Sequence, residues 1–415
     1  MKFGLHGIRK LLNELDHPEN KFPTVHIAGT NGKGSTASMI ASMFTAAGYK
    51  TGLYTSPHLV RFQERIRIDG VPIGPKKVAY LTDLVKEYVS KNQLTFFETV
   101  TAIAFKYFAD SQVDIAIIET GLGGRLDATN VIRPIVSIIT TIGKEHTDLL
   151  GSSIEKIASE KGGIIKTGIP CLSGVSVLQA KKVLKGICRD KKSEFFDVRS
   201  KRILIKDSTL ENLILDYRTS RTYLLNLKIS LAGDFQVRNI LLALSAIEII
   251  EKQSNFRISA SAIRTGLAHI QQFSGLQGRL SIIRQKPLFI VDVAHNPDAI
   301  KALCNSLRQL HIEKVNIILG LMQDKDYKQI LQSISKISNI VFVVKAKTER
   351  SRSSEEIGLV CKQLGIKSRI FNNVVEGVSV ALRTKDLPVL MTGSHFVVGE
   401  GLAYLQSEKY LTINQ

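Results

Sequence analysis

One stretch near the N-terminus, His26 to Ser35, joins an apolar run to a helix-forming segment through a turn rich in glycine. The apolar run is Thr24 to Ala28, and the helix-forming segment is Thr36 to Ala47. A strand, a glycine-rich turn and a helix N-terminus in this order form an anion site, because converging backbone N–H groups and the helix dipole both favour negative charge. The stretch therefore predicts a βα unit that binds phosphate.

The match to the common phosphate-loop pattern G-x-x-x-x-G-K-[ST] is incomplete. Ile27 occupies the position of the first glycine, and Gly34 separates Lys33 from Ser35. Lys33 is the cation that we expect to contact phosphate, and a structural loop without a ligand remains the alternative. The candidate phosphate-binding residues are Gly29, Thr30, Asn31, Gly32, Lys33, Gly34, Ser35 and Thr36.

The chain has 415 residues, which exceeds what one hydrophobic core usually serves, so we expect two domains. Apolar runs alternate with helical stretches, which indicates α/β architecture with largely parallel, doubly wound sheets. In the first half the runs are Thr24–Ala28, Gly52–Thr55, Asp114–Glu119 and Ile135–Thr140, before short strands between Phe195 and Leu231. In the second half they are Leu288–Val293, Val315–Leu321, Ile340–Val344, Ser368–Phe371 and Pro388–Thr392. Helical stretches of the second half are Asp298–Leu310, Tyr327–Lys336, Ser354–Leu364 and Val375–Arg383.

A polar, glycine-bearing stretch from Gln271 to Arg279 precedes the more regular second half. We therefore predict a phosphate-binding domain with a mostly parallel sheet at 1–272 and a linker at 273–280. A smaller, Rossmann-like α/β domain is predicted at 281–415.

The formal net charge of +19 raises the question of nucleic-acid binding. The densest basic run lies between Lys181 and Lys206 and includes Arg199 and Lys201. The chain has no Trp, and only Phe195 and Phe196 lie within this run, so a platform for stacking bases is poorly supported. A solvated basic face is favoured, and the excess charge also suits an enzyme whose ligands are anions.

Several absences at the sequence level predict a cytoplasmic protein without a membrane partner. There is no signal-peptide core, and no apolar run approaches the roughly 18 residues that span a bilayer. The cysteines show no C-x-x-C pairing, which argues against a zinc site and fits reduced thiols. They are Cys171, Cys188, Cys304 and Cys361.

Three polar residues, Ser56, Glu119 and His146, each follow a different predicted strand. Ligands of open α/β sheets bind at the carboxyl ends of the strands, so these residues share an edge with Lys33. Oxygen and imidazole groups of this kind suit a divalent metal bound with nucleotide phosphates. Considered alone, a serine at a strand end is more often a turn residue, and a lone histidine is more often a packed or capping group. Because all three residues share a sheet edge with Lys33, the metal site is favoured.

Eight motifs in a fixed order resemble those of folylpolyglutamate synthases, above all the bacterial branch that often also has dihydrofolate synthase activity. The resemblance runs from about residue 20 to residue 400. The wider Mur ligase superfamily shares several motifs, but the Ser-Pro-His-Leu and Gly-Gly-Arg-Leu-Asp-Ala-Thr-Asn segments point to folate. Besides the phosphate loop, the motifs are Thr55–Leu59, Glu119–Asn130, His146–Asp148, Glu160–Lys166, Gly233–Gln236 with Asn239, Gln277–Arg279 and Asp292–Pro297.

The resemblance implies an ATP-dependent carboxylate–amine ligase that joins L-glutamate to folate, and to dihydropteroate. ATP would phosphorylate the carboxylate, and the glutamate amine would attack the acyl phosphate. Domain 1–272 would be the ATP-binding, Mur-ligase-like unit, and 281–415 the glutamate-ligase unit. The implied cofactors are ATP and Mg²⁺, with two ions, and the implied state is a monomer.

Residue roles follow from the resemblance position by position. Lys33 would hold the β and γ phosphates, and Ser35 or Thr36 would offer a hydroxyl to one Mg²⁺. The family's metal ligands match Ser56, Glu119 and His146. Asn239 would hydrogen-bond the adenine, and Arg279 would reach the phosphates. Asp292 and His295 would contact ribose and phosphates.

Two further residues carry an implied role beside a simpler alternative. Lys161 resembles the family's carbamylated lysine, which ligates the second metal ion, but a plain surface lysine on an amphipathic helix would show the same spacing. Asp127 matches a position implicated in folate handling, and it also reads as a helix cap. The candidate catalytic residues are Lys33, Glu119, His146, Lys161 and Asp127.

Two other function classes stay open on the sequence. A Mur-type ligase acting on a cell-wall nucleotide peptide would share the phosphate loop, and the folate-type segment from Ser56 to Asp69 argues against it. A nucleic-acid-dependent ATPase would use the basic run. A nucleotide-binding protein without catalysis is disfavoured, because Glu119 and His146 would have no purpose in it.

Overall fold

The computed structural model describes residues 4–198, 202–219, 222–384 and 386–413. Arg199 and Lys201 of the basic run lie outside the described residues. The strands are β1 (Thr24–Ala28), β2 (Thr51–Tyr54), β3 (Ile66–Ile68), β4 (Val71–Pro72), β5 (Ile115–Glu119), β6 (Val136–Ile139), β7 (Cys171–Ser173), β8 (Phe195–Asp197), β9 (Ile203–Ser208), β10 (Leu213–Arg218), β11 (Tyr223–Ile229), β12 (Ser281–Gln285), β13 (Leu288–Val291), β14 (Val315–Leu319), β15 (Ser338–Val343), β16 (Ser368–Ile370) and β17 (Val389–Thr392).

The α-helices alternate with these strands over most of the chain. They are α1 (His6–Glu14), α2 (Lys33–Ala46), α3 (Pro75–Asn92), α4 (Phe96–Asp110), α5 (Thr147–Leu150), α6 (Ile154–Gly162), α7 (Leu178–Asp190), α8 (Gln236–Gln253), α9 (Ala260–Ala268), α10 (Ile270–Ser274), α11 (Pro297–Gln309), α12 (Tyr327–Ile334), α13 (Ser354–Gln363), α14 (Val374–Ala381) and α15 (His395–Ile413).

The first large sheet has the strand order β4-β3-β2-β5-β1-β6-β7-β8. The strands from β2 to β8 in this order are parallel, whereas β3 and β4 pair antiparallel at one edge. Strands β1 and β5 are buried along their whole length, as expected for a parallel sheet covered by helices on both faces. Helices α2, α8 and α9 cover one face, and α1, α3 and α4 pack on the other.

The second large sheet has the order β12-β13-β17-β14-β15-β16 and is parallel except for β12. Helices α11, α12 and α13 pack on one face, and α14 and α15 pack on the other. Between the two large sheets in sequence, β9 to β11 form a small antiparallel sheet whose buried face joins the core around α8 and α9.

The structure confirms an α/β fold with two mostly parallel sheets. Two antiparallel strands were not predicted: β4 pairs with β3, and β12 pairs with β13 through a short turn. Strand β12 is only partly buried, because it lies at a sheet edge, and so it lacks the apolar run that marks the central strands. The proposed linker 273–280 runs from the end of α10 to the start of β12.

No helix in the described part of the chain combines the length and the apolar composition that crossing a bilayer requires.

Candidate active site

A cavity of about 1720 Å³ lies between the carboxyl ends of the central strands of the two large sheets. The loops after β1, β5 and β6 line one side, and the loops after β13, β14 and β17 line the other. Open α/β sheets present ligand groups at this edge, so each half of the chain contributes its ligand-binding edge to one shared space.

The phosphate loop runs from the end of β1 to the start of α2. Gly32 precedes the helix with a φ of 89°, a conformation that favours glycine, and a Cβ there would collide with the Asn239 side chain. The end of β6 holds the loop: Thr30 N donates to Thr141 O at 2.8 Å, and Asn31 N donates to Thr141 Oγ1 at 2.9 Å. The loop is thus fixed before any ligand arrives.

Two lysines converge on this loop. Lys33 Nζ donates to Gly29 O at 3.1 Å and to Thr30 O at 3.3 Å, and Lys161 Nζ donates to Gly29 O at 3.0 Å. Lys161 is 4% exposed, so the structure excludes the alternative of a plain surface lysine. Burial, and then the charge of Lys33, lowers the pKa of Lys161 to about 7. Its amine is therefore easily deprotonated.

Glu119, at the end of β5, is the acidic group nearest to the phosphate loop. Its Oε1 lies 4.0 Å from Lys33 Nζ, and its Oε2 accepts a long hydrogen bond of 3.4 Å from Ser56 N. Burial raises the pKa of this carboxyl, while the charges of Lys33 and Arg279 oppose the rise. Glu119 is thus a buried carboxyl group in a long ion pair with Lys33.

His146 precedes α5 and faces the second sheet. Its Nδ1 lies 3.7 Å from Asp324 Oδ2, and its Nε2 lies 4.0 Å from Glu145 Oε1. Burial, and then the charge of Lys325, lowers the pKa of His146 to about 4, which leaves the ring neutral and able to accept a proton or ligate a metal. Ser56, Glu119 and His146 therefore all line the cavity.

The C-terminal edge brings together the other predicted residues. Arg279 lines the cavity, and its Nη2 would lie 3.7 Å from a Cβ at Gly34, so the linker side chain reaches the phosphate loop. Asp292 is 4% exposed and accepts hydrogen bonds from Leu280 N at 2.9 Å and Ala294 N at 2.8 Å. Burial raises the pKa of Asp292, and the charge of Arg279 opposes that rise.

Contacts across the cavity centre on Glu145. Its Oε1 accepts from His295 Nε2 at 2.9 Å, from Lys325 Nζ at 3.2 Å and from Asn296 Nδ2 at 3.5 Å. Burial by itself would raise the pKa of Glu145, but the His295 hydrogen bond and the surrounding positive charges hold it below its usual range. Glu145 is therefore a carboxylate that ties the second sheet to the first.

An uncharged contact lies beside this cluster. Asn31 Nδ2 donates to Asn296 Oδ1 at 3.3 Å, and Asn296 Nδ2 donates to Asn31 Oδ1 at 3.0 Å. Asn296 also caps α11 by accepting from Ala299 N at 2.9 Å. The phosphate loop is thus hydrogen-bonded directly to the second sheet's ligand edge.

Four further predicted residues have surroundings in the structure that bear on their expected roles. Asn239 Nδ2 donates to Gln236 Oε1 at 2.8 Å, although Asn239 does line the cavity. Ser35 lines the cavity, whereas Thr36 is fully buried in α2 and its side chain does not reach the cavity wall. Asp127 caps the short 3₁₀ turn Ala128–Val131, as its alternative interpretation held, and it also lines the cavity.

Apolar side chains also line the cavity. Phe96 is 61% exposed and Leu149 is 46% exposed, and Phe97, Leu122 and Leu126 belong to the same lining. Aromatic and aliphatic side chains with a few polar groups are typical of a site for a flat organic ligand. The cavity therefore offers both cationic and apolar side chains.

Comparisons with known proteins identify the family. The Mur ligase middle domain model matches residues 27–247, and the model of the Mur ligase, glutamate ligase domain matches residues 278–395. The dihydrofolate synthase/folylpolyglutamate synthase of Bacillus subtilis (strain 168) is 34% identical over 350 residues, which cover 82% of this chain and 80% of that protein. This chain belongs to the folylpolyglutamate synthase and dihydrofolate synthase family of Mur ligases.

Solved structures of folylpolyglutamate synthases share the whole fold. The Mycobacterium tuberculosis folylpolyglutamate synthase complexed with ADP and AMPPCP has a TM-score of 0.88 at 30% identity, covering 97% of this chain and 95% of that one. E. coli FolC in complex with DHPP and ADP has a TM-score of 0.87 at 28% identity, covering 99% of this chain and 94% of that one. The predicted family, fold and enzyme class are confirmed, and the chain is an ATP-dependent ligase.

Sequence reasoning missed several residues at the centre of this ligase's cavity. Glu145 directly precedes the His146–Asp148 motif and was given no role, and Lys325 lay outside every motif. His395 lines the cavity with its ring centroid 5.4 Å from that of His295. Burial, and then the charge of His295, lowers the pKa of His395 well below its usual value. Only the meeting of the two sheets brings these residues together.

Proposed function

We propose that this ligase joins L-glutamate to the carboxylate of reduced folates and of dihydropteroate, acting as a monomer in the cytoplasm. The observation that carries the proposal is the mixed lining of the cavity. Lys33 and Arg279 suit the phosphates of ATP, and Phe96 and Phe97 suit a pteridine. One chain supplies both edges of the site, and the four free cysteines fit a reducing compartment.

A carboxylate is a poor electrophile, so the chemistry has to begin with its activation. Transfer of the γ-phosphoryl group of ATP to the substrate carboxylate gives an acyl phosphate and ADP. The amine of glutamate then attacks the acyl carbon, the amide bond forms, phosphate leaves, and the amine proton is lost. Phosphoryl transfer asks the protein mainly for positioning and charge neutralisation. Lys33 and Arg279 lie where they can neutralise the transferring group.

The residues present fit Mg²⁺. Among the described residues no group of three or more His, Cys, Asp and Glu side chains is arranged to hold a metal ion. Mg²⁺, however, is usually bound through one or two carboxylates together with substrate phosphates. Glu119, a buried carboxyl group in a long ion pair with Lys33, would supply such a ligand, and Ser56 and Ser35 also line the cavity. Bound Mg²⁺ would neutralise charge on the phosphate oxygens.

Lys161 fits a carbamate. A pKa of about 7 makes its amine neutral and nucleophilic near neutral pH, and reaction with CO₂ would replace a buried cation by a carboxylate. That carboxylate would lie beside Gly29 of the phosphate loop, where it and His146 would hold a second Mg²⁺. Lys161 would then cease to compete with Lys33 for the Gly29 carbonyl.

The experiment is a ligation assay of the purified protein with ATP, Mg²⁺ and labelled glutamate. Dihydropteroate and tetrahydrofolate are tested separately, and a cell-wall nucleotide peptide serves as the control acceptor. We expect labelled product and ADP with both pterin acceptors and neither with the control. Ligation to the nucleotide peptide, or ATP turnover that requires nucleic acid, would overturn the proposal. Product with only one pterin acceptor would confine the activity to that substrate.

A further inference from the structure

A buried chain of hydrogen bonds connects the strand that leads into the phosphate loop with the loop that follows Glu119. His26 Nε2 lies 2.8 Å from Thr129 Oγ1, and Thr129 Oγ1 donates to Asp127 Oδ1 at 2.5 Å. His26 and Thr129 are both 0% exposed, whereas Asp127 reaches the cavity wall. This series of hydrogen bonds therefore runs from the core of the sheet to the surface of the active site.

The proton positions in this chain follow from counting donors. Burial lowers the pKa of His26 to about 3, so the ring is neutral and carries one N–H. The single hydroxyl proton of Thr129 goes to Asp127, so the hydroxyl oxygen accepts from His26 Nε2. The order of donation is thus His26 to Thr129 to Asp127. Each group is held in one orientation.

Stability alone does not explain a histidine at this position. Its other ring nitrogen, Nδ1, is buried without a hydrogen-bond partner in the described structure. An unpaired buried polar atom costs roughly 1–3 kcal/mol. The neighbours Val25 and Ile27 show that this strand otherwise follows the usual apolar composition. His26 therefore contributes through its Nε2 bond rather than through packing.

Asp127 in turn fixes the loop from 120 to 127. Its Oδ1 also accepts from Thr129 N at 3.0 Å, and its Oδ2 accepts from Leu122 N at 2.8 Å. The loop has little room to move otherwise, because a Cβ at Gly124 would lie 2.7 Å from Lys161 O. Rotation of the Asp127 carboxylate would break its hydrogen bond with Leu122 N. Leu122 is one of the apolar residues that line the cavity.

We propose that His26 and Thr129 are positioning residues for the pterin substrate, acting through Asp127. The inference rests on the proposed function, because it assumes that the apolar side chains lining the cavity contact the pteridine. The hydroxyl of Thr129 orients the Asp127 carboxylate, and the carboxylate holds the Leu122 backbone at the cavity wall. The phosphate loop is held separately, by Thr140 and Thr141. Breaking the hydrogen bonds from His26 to Asp127 therefore weakens pterin binding and leaves ATP binding in place.

The decisive variant is Thr129→Val, which keeps the shape of the side chain and removes the hydroxyl. We expect KM for dihydropteroate and for tetrahydrofolate to rise about tenfold, because small displacements of positioning groups are costly. KM for ATP and kcat should stay within about twofold of the unaltered protein. Thr129→Ser restores a hydroxyl at the same place and should return KM for the pterin to within about twofold.

A matched control removes a comparable buried hydroxyl elsewhere. Thr51 is 1% exposed at the start of β2, the end of that strand opposite the cavity, and its hydroxyl donates to Tyr49 O at 2.9 Å. Thr51→Val should lose about as much thermal stability as Thr129→Val without raising KM for the pterin. Equal increases of KM in the two variants would reduce Thr129 to a structural residue.

The histidine gives an independent comparison that holds even where Thr129→Val fails to fold. His26→Phe removes the N–H donor and should raise KM for the pterin about threefold, whereas Gln at this position can still donate to Thr129, so His26→Gln should stay near the unaltered value. In the double variant His26→Phe with Thr129→Val, the increase should not exceed that of Thr129→Val, because both act through Asp127. Additive increases of KM for the pterin in the double variant would contradict a single series of hydrogen bonds from His26 to Asp127.

The outcomes separate this inference from the proposed function. Absence of folate-dependent glutamate ligation by the unaltered protein would defeat the proposed function itself. Normal ligation by the unaltered protein, with KM for the pterin unchanged in Thr129→Val and His26→Phe, would defeat only the positioning role. A parallel fall in kcat and rise in KM for ATP and for pterin in Thr129→Val would also defeat it.

Discussion

The two edges of the cavity are held in position by different kinds of contact. The N-terminal edge is held within its own sheet, where Thr140 and Thr141 fix the phosphate loop through hydrogen bonds to its backbone. The C-terminal edge is placed by contacts across the cleft, chiefly those from Glu145 and Asn31. The N-terminal edge is therefore preorganised, whereas the C-terminal edge depends on closure of the cleft. Substitutions at the two edges should have effects of different size.

The largest effect is expected at the preorganised edge. Lys33→Ala removes a charge that is most needed while the phosphoryl group transfers, at a cost of about 3 kcal/mol or more. Glutamate ligation should fall at least 100-fold without loss of the fold. The measurement is kcat with saturating ATP, and Lys182→Ala, an exposed lysine of α7, is the matched control. Ligation at the unaltered rate would show that Lys33 does not contact phosphate.

Next in size, Glu119→Gln tests whether the buried carboxylate is a metal ligand. Glutamine keeps the shape but loses the negative charge that a hard cation prefers. We expect about a 100-fold loss of activity and a higher Mg²⁺ requirement, with a much smaller change in thermal unfolding. The exposed Glu155→Gln is the control. An unchanged Mg²⁺ titration would make Glu119 a structural strand-end residue.

A smaller effect is expected from removing CO₂. Burial lowers the pKa of Lys161 to about 7, so its amine is protonated and unreactive below that pH and becomes neutral as the pH rises through it. Enzyme freed of CO₂ should lose about tenfold in activity at pH 8 and recover it with bicarbonate. Lys161→Ala should be insensitive to bicarbonate, whereas Lys156→Ala, exposed on the same helix, should respond normally. Equal activity with and without bicarbonate would rule out the carbamate.

The smallest effect should come from the cross-cleft contact. Glu145→Gln removes the carboxylate that His295 and Lys325 both contact, and leaves Asp324 as the carboxylate beside Lys325. We expect kcat/KM for ATP to fall about fivefold to tenfold while the exposed Asp148→Asn has no effect. A loss as large as that of Lys33→Ala would erase the distinction between the preorganised edge and the edge that depends on closure.

The difference between local contacts and contacts across the cleft also explains which site residues could be predicted from the sequence. The phosphate loop was predictable because strand, glycine turn and helix are contiguous, so the local pattern contains the geometry. Strand ends carrying Ser56 and Glu119 were predictable from apolar runs. Lys325 and His395 were not, because each lies more than 100 residues from the phosphate loop and no local pattern marks it. The burial of Lys161 was equally invisible, since α6 looks amphipathic and the loop from 120 to 127 covers it only in the folded protein.

The reciprocal amide pair between Asn31 and Asn296 has a consequence for how the link between the two edges responds to solution conditions. Neither partner carries a charge, so the strength of this contact does not change with ionic strength or with pH near neutrality. Each of these hydrogen bonds contributes only about 1 kcal/mol, so the contact can break and re-form at little cost. The asparagine pair thus links the phosphate loop to the second sheet through a weak contact that salt and near-neutral pH leave unchanged.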